Sequence, residues 1–335
     1  MIKIKKKIII FLITILAVIF FIYVVFRQDF NDVLNYLKNI SVFDFLTIIV
    51  VGTIYQLLEA LGNFVLIKSQ SPSFKYRQSA EMTLLGTFSN ITTSSAGTIP
   101  LQSYYLYKRG IKAGKGIGLI ILDSIFHKFS VFVYASVLIA FNFNWLVSAN
   151  NNIMRYIFVG YFVYLLIIIG LILICSWQKI QDLLLWLINK LPDNEKWQKK
   201  KLDWQDNLKA LYQESKIVLK NKKLCLKVII TNFFKLFWTY TIPLYCLYIV
   251  NIHDLSFSQI QILASIMLLI TGVLPNVAGL GPPEVSFLLV FAPYLGIAKA
   301  TSALIVYRIT TYFYPFLMSA IVFLKLEKEL LLQKK

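Results

Sequence analysis

Hydrophobic residues follow one another in long stretches along this chain, with few polar positions between them. Six stretches are close to the roughly 20 residues that a helix needs to cross the hydrocarbon core of a bilayer. They lie at residues 8–26, 42–67, 117–141, 156–175, 224–250 and 300–324. This pattern predicts six full transmembrane helices, the first of them retained rather than cleaved as a signal peptide.

Two other apolar segments, 80–107 and 259–297, are broken near their middle. The first contains "SNITTSSAGTIP" and the second "LPNVAGLGPPEV". Each arm of the second segment has about 15 residues and reaches about 23 Å, short of the roughly 30 Å hydrocarbon core. We therefore expect two re-entrant helical hairpins beside a cavity, because broken backbone at membrane depth must be buried in protein or face water. The residues expected to shape the hairpin backbone are Gly97, Pro100, Pro275, Gly279, Gly281, Pro282 and Pro283.

The distribution of lysine and arginine predicts the orientation, since these residues collect in cytoplasmic loops. The N-terminal "MIKIKKK", both flanks of the first hairpin and the loop 178–223 are basic, whereas loops 142–154 and 251–258 carry little charge. Both termini are therefore expected in the cytoplasm. The first hairpin then enters from the inside and the second from the outside, which indicates an inverted-topology repeat.

Composition agrees with an all-α integral membrane protein that forms a single polytopic domain over residues 1–335. Hydrophobic residues make up 58% of the chain, and the mean hydropathy is +0.69. The formal net charge is +18, and loop 178–223 holds eleven lysines against six acidic residues. We expect this basic face to attract anionic phospholipid headgroups.

Other partners and chemistries find little support in the sequence. Nucleic acid is not expected as a partner, because no aromatic-basic motif accompanies the charge. The three cysteines are scattered, and only two histidines occur in the chain. The sequence therefore predicts no metal, no cofactor and no catalytic constellation.

Ionisable residues inside the apolar stretches are the strongest functional clues, because each is costly in hydrocarbon unless it is paired or faces water. Asp123 and His127 are four residues apart and share one helix face, and Lys235 and Arg308 lie deep within their stretches. The guanidinium fork of Arg308 suits a phosphate. The candidate cavity and headgroup residues are Arg308, Lys235, Asn232, Asp123, His127, Lys128, Gln102, Tyr104, Glu284, Asn90 and Asn276.

Several pairings stay open at this level. Glu59 has two candidate partners across the bundle, Lys235 and Lys128. Glu284 can cap a half-helix, contact a substrate or pair with Arg308. Asp123 and His127 can equally form an interhelical hydrogen bond whose role is only structural.

Two blocks resemble a known family. The segment "LPNVAGLGPPEVSFLLVFAPYLGIAKATSALIVYR" resembles the L-P-x-x-x-G-L-G-x-x-E block of the lysylphosphatidylglycerol synthase transmembrane (flippase-like) family. The segment "NITTSSAGTIPLQSYYLYKRGI" is similar to its upstream block in forms from Gram-positive bacteria. The chain reads Gly97-Thr98-Ile99-Pro100 where that block commonly reads Gly-Gly-Gln-Pro, so its substrate choice is expected to differ.

The resemblance implies phospholipid translocation across the bacterial cytoplasmic membrane, with an anionic or aminoacylated glycerophospholipid as substrate and an effect on surface charge and cationic peptide resistance. Long members of the family carry a soluble acyltransferase domain, which we do not find before Lys335. Two alternatives remain: a membrane component of a phosphatidylglycerol lysyltransferase that acts with a separate catalytic domain, and an ion-coupled small-solute transporter. Homo-oligomerisation is left open.

Overall fold

A computed structural model describes residues 35–38, 40–93, 95–149, 151–192, 195–274 and 279–332. Within these residues the regular structure is helical, which confirms the predicted all-α class. The predicted first span, residues 8–26, lies outside the described residues, as do Pro275 and Asn276 of the predicted second hairpin.

The first half of the described chain contains seven helices. They are α1 (Val42–Gln70), α2 (Tyr76–Thr92), α3 (Thr98–Lys108), α4 (Ala113–Phe141), α5 (Phe143–Ala149), α6 (Asn151–Ser176) and α7 (Gln178–Asn189). The second half contains six more and a π-helical turn at Ile309–Phe313. These helices are α8 (Glu195–Lys220), α9 (Lys222–Ile249), α10 (Phe257–Val273), α11 (Pro282–Leu295), α12 (Ile297–Arg308) and α13 (Tyr314–Leu332).

Four helices among the described residues are long and apolar enough to cross a membrane. They are Val42–Gln70, Ala113–Phe141, Ile157–Ser176 and Ile297–Leu326, the last formed by α12, the π turn and the start of α13. They correspond to four of the six predicted spans. Helix α9 has 28 residues and is long enough, but it carries Asn232 and Lys235 in its middle and is less apolar. Its transmembrane course stays a prediction.

Two helical hairpins form at the predicted breaks. Helices α2 and α3 pack against each other, as do α10 and α11. At about 1.5 Å per residue, their lengths of 17, 11, 17 and 14 residues give arms shorter than the roughly 30 Å hydrocarbon core. The re-entrant course of these hairpins and their relation as an inverted repeat stay predictions.

The two hairpins turn by different means. In the first, Ser95 has a positive φ of 72°, and the Gly97 amide donates to Thr93 Oγ1 at 2.7 Å before Pro100 enters the first turn of α3. In the second, Gly279 and Gly281 have φ values of 78° and 92°, where a side chain is strained. Pro282 and Pro283 then begin α11, a position that needs no amide hydrogen.

Three long helices, α1, α4 and α9, each contribute to two separate apolar clusters along their length. One apolar cluster includes Val131 on α4 and Leu236 on α9, and the other includes Phe126 on α4 and Val228 on α9. On α1 the same division falls between Ile48 and Leu66. Polar or charged side chains lie between these residues on all three helices: Glu59 on α1, His127 and Lys128 on α4, and Asn232 and Lys235 on α9. The fold therefore places a polar layer between two apolar ones.

The predicted basic loop is also helical. Helix α7 leaves the end of α6, and α8 returns along α4. Gly118 of α4 permits this close approach, because a Cβ at that position would lie 2.6 Å from the carbonyl oxygen of Ala210. The basic helices thus cover one end of α4.

Candidate functional site: a polar cavity between the apolar clusters

A cavity of about 400 Å³ lies in the polar layer and is walled by α1, α2, α3, α4 and α9. Six of the predicted site residues line it, drawn from four of these helices. They are Asn90, Gln102, Asp123, His127, Lys128 and Lys235. The first hairpin therefore does border a cavity, and it shares that cavity with the ionisable residues of the long helices.

Glu59 and Lys235 form an ion pair across the cavity wall. Lys235 Nζ lies 3.3 Å from Glu59 Oε1 and donates to Oε2 at 3.4 Å. The lysine side chain is only 3% exposed, so its charge is removed from water, whereas the Glu59 side chain is 28% exposed. Of the two pairings that the sequence left open for Glu59, the structure has the one with Lys235. This pair neutralises itself and leaves no net charge for a ligand.

Asp123 and His127 stand one turn apart on α4, as their spacing predicts. Within the described part of the chain, Asp123 Oδ1 and His127 Nδ1 are fully buried and lack a hydrogen-bond partner. Asn232 on α9 is in hydrogen-bond contact with His127 and donates its own amide to the Val228 carbonyl at 3.0 Å. An interhelical contact thus exists for the histidine, but each of the two side chains retains an unsatisfied polar atom.

Lys128 has a different environment from Lys235. Its ammonium lies 5.8 Å from the centroid of the Tyr164 ring, and no carboxylate in the described chain forms an ion pair with it. An aromatic face attracts a cation but does not neutralise it as a carboxylate does. Lys128 is therefore the cavity cation best placed to meet an anion.

The first hairpin supplies uncharged walls to the cavity. Gln102 Nε2 donates to the Met82 carbonyl at 3.2 Å and lies so close to Gly86 that a Cβ at residue 86 would collide with its amide. Asn90 Oδ1 accepts from the Ser95 hydroxyl at 2.5 Å near the hairpin turn. Tyr104, by contrast, is 42% exposed and does not line the cavity.

Arg308 and Glu284 do not line the cavity and lie against the second hairpin. Arg308 Nε is 2.8 Å from Glu284 Oε1, and Arg308 Nη2 donates to the Gly279 carbonyl at 2.6 Å. Glu284 Oε2 accepts from the Gly281 amide at 2.8 Å, and the guanidinium carbon lies 4.3 Å from the Tyr312 ring centroid. Glu284 is thus both a cap and an ion-pair partner. Arg308, expected to contact a headgroup, holds the hairpin backbone in this structure.

Sequence reasoning missed several small polar residues of the cavity wall. Gln56 and Asn63 flank Glu59 on α1, and Thr83 and Thr87 precede Asn90 on α2. The signal was present, because positions 56, 59 and 63, and again 83, 87 and 90, repeat at intervals of three and four on otherwise apolar helices. Such a repeat marks one polar face of a helix.

Comparison with known protein families gives a match over most of the chain. The family described as the lysylphosphatidylglycerol synthase TM region matches residues 8–319. Searches of curated proteins and of solved structures returned no match.

Proposed function

The chain belongs to the lysylphosphatidylglycerol synthase transmembrane family, and we propose that it moves glycerophospholipids with anionic or aminoacylated headgroups across the cytoplasmic membrane. Family membership makes the chain a membrane component related to lysylphosphatidylglycerol synthesis or lipid handling. In the proposed topology both termini are cytoplasmic. The proposal rests above all on the polar cavity between two apolar clusters, with an uncommitted ammonium group in its wall.

The obstacle to lipid movement is the headgroup, because polar groups without partners are costly in hydrocarbon. A polar layer inside the helix bundle lowers that cost while the acyl chains remain in the bilayer. A volume of about 400 Å³ falls within the usual range of small-molecule sites, roughly 300–1,000 Å³. A phosphate with its glycerol linkage fits such a space.

Each wall of the cavity has a role in this proposal. Lys128 contacts the lipid phosphate through its ammonium group, and the amides of Gln102 and Asn90 bind hydroxyl or carbonyl groups of the headgroup. The pair of Glu59 and Lys235 holds α1 against α9 and keeps the polar layer open. Transfer of aminoacylated lipid to the outer leaflet raises surface positive charge, which weakens the binding of cationic peptides.

The experiment is a phospholipid-movement assay with purified protein in proteoliposomes. A fluorescent anionic phospholipid is placed in both leaflets, and an external quencher reports the fraction that reaches the outside. We expect the quenched fraction to rise above that of protein-free vesicles, and Lys128→Gln to slow the rise. The matched control is Lys227→Gln, which removes an exposed lysine of α9. Equal rates of lipid movement in Lys128→Gln and Lys227→Gln would show that Lys128 does not contact the moving lipid.

A second candidate function follows from the basic helices, where Leu202 and Trp204 are 61% and 44% exposed on α8. These side chains and their surrounding lysines suit a separate catalytic domain of an aminoacyl-lipid synthase. Under this alternative, purified chain alone moves no lipid, and a synthase domain copurifies only when Trp204 is intact. Lipid movement by the chain alone favours the first proposal.

A further inference from the structure

We propose that Asp123 and His127 form a proton-binding pair that couples lipid movement through the cavity to proton movement in the same direction. This inference rests on the proposed function and adds its energy source. It is carried by the two unsatisfied buried atoms of the pair and by the arrangement of charges around them.

Burial without partners is the first observation. Asp123 Oδ1 and His127 Nδ1 are enclosed in the bundle and accept no hydrogen bond from the described residues. An ionised carboxylate loses the hydration of its buried Oδ1 and gains no hydrogen bond from the described chain at that atom, whereas a protonated carboxyl is neutral. Protonation of the histidine converts its free nitrogen from an unsatisfied acceptor into a donor. Each of the two side chains can therefore bind or release a proton at a buried atom.

The charges that face the pair are the second observation. Helix α1 contributes Glu59, α9 contributes Lys235, and α4 itself contributes Lys128. Glu59 and Lys235 neutralise each other at 3.3 Å. An ionised Asp123 therefore adds one negative charge beside this neutral pair, and a single bound proton removes it.

The size of the occupant is the third observation. The two unsatisfied atoms are closed to a bulky ammonium headgroup, whereas a proton needs no cavity of its own. No group of three or more metal-ligating side chains occurs among the described residues. Lys128 lines the same cavity and is left to the lipid phosphate.

Coupling follows from the position of Lys128, which is next to His127 on α4 and lines the same cavity. A phosphate bound at Lys128 neutralises the positive charge that opposes a proton on the imidazole. Lipid anion and proton therefore bind more tightly together than apart, and each must favour the other equally. The proton enters the pair with the lipid on one side of the membrane and leaves with it on the other.

The test uses full-length protein in proteoliposomes that contain fluorescent phosphatidylglycerol and an internal pH indicator. For one proton moved with each lipid, a pH difference of one unit should shift the steady ratio of lipid between the leaflets by about tenfold. Lipid-dependent proton uptake should accompany this shift. Asp123→Asn should lose both the response to the pH difference and the lipid-dependent proton uptake, while Asp254→Asn, at an exposed residue, should behave as wild type.

The outcomes separate the two proposals. Lipid movement that ignores the pH difference, without proton uptake, overturns the coupling and leaves the proposed function standing. If no lipid moves at all, the proposed function fails. Infrared titration of the protein then tests separately whether Asp123 and His127 bind a proton. A protonated-carboxyl band that titrates in wild type and is missing in Asp123→Asn supports proton binding, and its absence from wild type overturns it.

Discussion

The two helical hairpins are both interrupted by glycine and proline, but their polar surroundings differ. The hairpin of α2 and α3 has uncharged cavity walls, and the ionisable groups beside it come from α1, α4 and α9. The hairpin of α10 and α11 carries its own carboxylate, which is tied to Arg308 and to the backbone of its turn. Breaker residues alone therefore do not distinguish a hairpin beside a cavity from one that is closed by a buried ion pair.

The difference lies in where the polar groups find partners. Around the second hairpin, Arg308 satisfies the Gly279 carbonyl and Glu284 satisfies the Gly281 amide. Among the described residues, Arg308 Nε makes no hydrogen bond of its own, but it lies 2.8 Å from the opposite charge of Glu284 Oε1. The unsatisfied atoms of Asp123 and His127, by contrast, belong to residues that line the cavity beside the first hairpin. Satisfied charges stabilise the fold, whereas unsatisfied polar atoms beside a cavity are available for function.

The largest expected effect comes from opening the second hairpin. Arg308→Ala leaves Glu284 buried without its ion-pair partner and removes the hydrogen bond to the Gly279 carbonyl, which should cost about 3–5 kcal/mol of folding free energy. The measurement is thermal unfolding in detergent. Arg77→Ala, at an arginine that is 75% exposed on α2, is the control and should unfold like wild type. An Arg308→Ala protein that melts normally but moves no lipid would return Arg308 to the headgroup role.

The next effect concerns the ion pair at the cavity. Lys235→Met should cost about 2 kcal/mol, less than Arg308→Ala, because Glu59 remains 28% exposed and can be partly hydrated. The double variant Glu59→Gln with Lys235→Met should recover most of this loss, since no charge is left unpaired. A double-mutant cycle of unfolding free energies measures the coupling. Purely additive losses would show that the pair contributes no stability.

A glycine substitution in each hairpin sharpens the comparison further. Gly279→Ala should cost about 1–3 kcal/mol, because φ is 78° and the new Cβ would lie 2.9 Å from Tyr312. Gly86→Ala should cost less, because the colliding Gln102 amide can rotate away, but this change should slow lipid movement. Unfolding and lipid exchange are measured on both variants. A greater loss of stability in Gly86→Ala than in Gly279→Ala would contradict the proposed difference between the two hairpins.

The smallest effect is expected at the pair of Lys299 and Asp254, which are separated by 2.7 Å and are 37% and 46% exposed. An exposed ion pair competes with water and salt, so Lys299→Ala should leave both the melting temperature and lipid exchange unchanged. The measurement at low and high salt checks this expectation. A loss of stability in Lys299→Ala as large as that in Arg308→Ala would show that solvent exposure does not explain the difference between the two ion pairs.

Local signals in the sequence predicted much of this arrangement. The breaks at 93–97 and near Gly279 follow from glycine, proline and arm length, and the shared face of Asp123 and His127 follows from their spacing. The partner of Glu59 could not be predicted, because the sequence offered both Lys235 and Lys128 and the choice depends on how α9 packs. The position of Arg308 depends on the path of the hairpin backbone, which no local pattern encodes.

The cavity beside the first hairpin is the central claim, and blocking it is the most direct test. Ser124→Trp places a bulky ring in the cavity wall of α4, whereas Val137→Trp adds the same ring at a residue of α4 that is 47% exposed. Both folded proteins are compared with wild type in the phospholipid-movement assay. We predict that Ser124→Trp abolishes lipid movement and that Val137→Trp retains it. Equal lipid movement in all three proteins would contradict a path through the cavity.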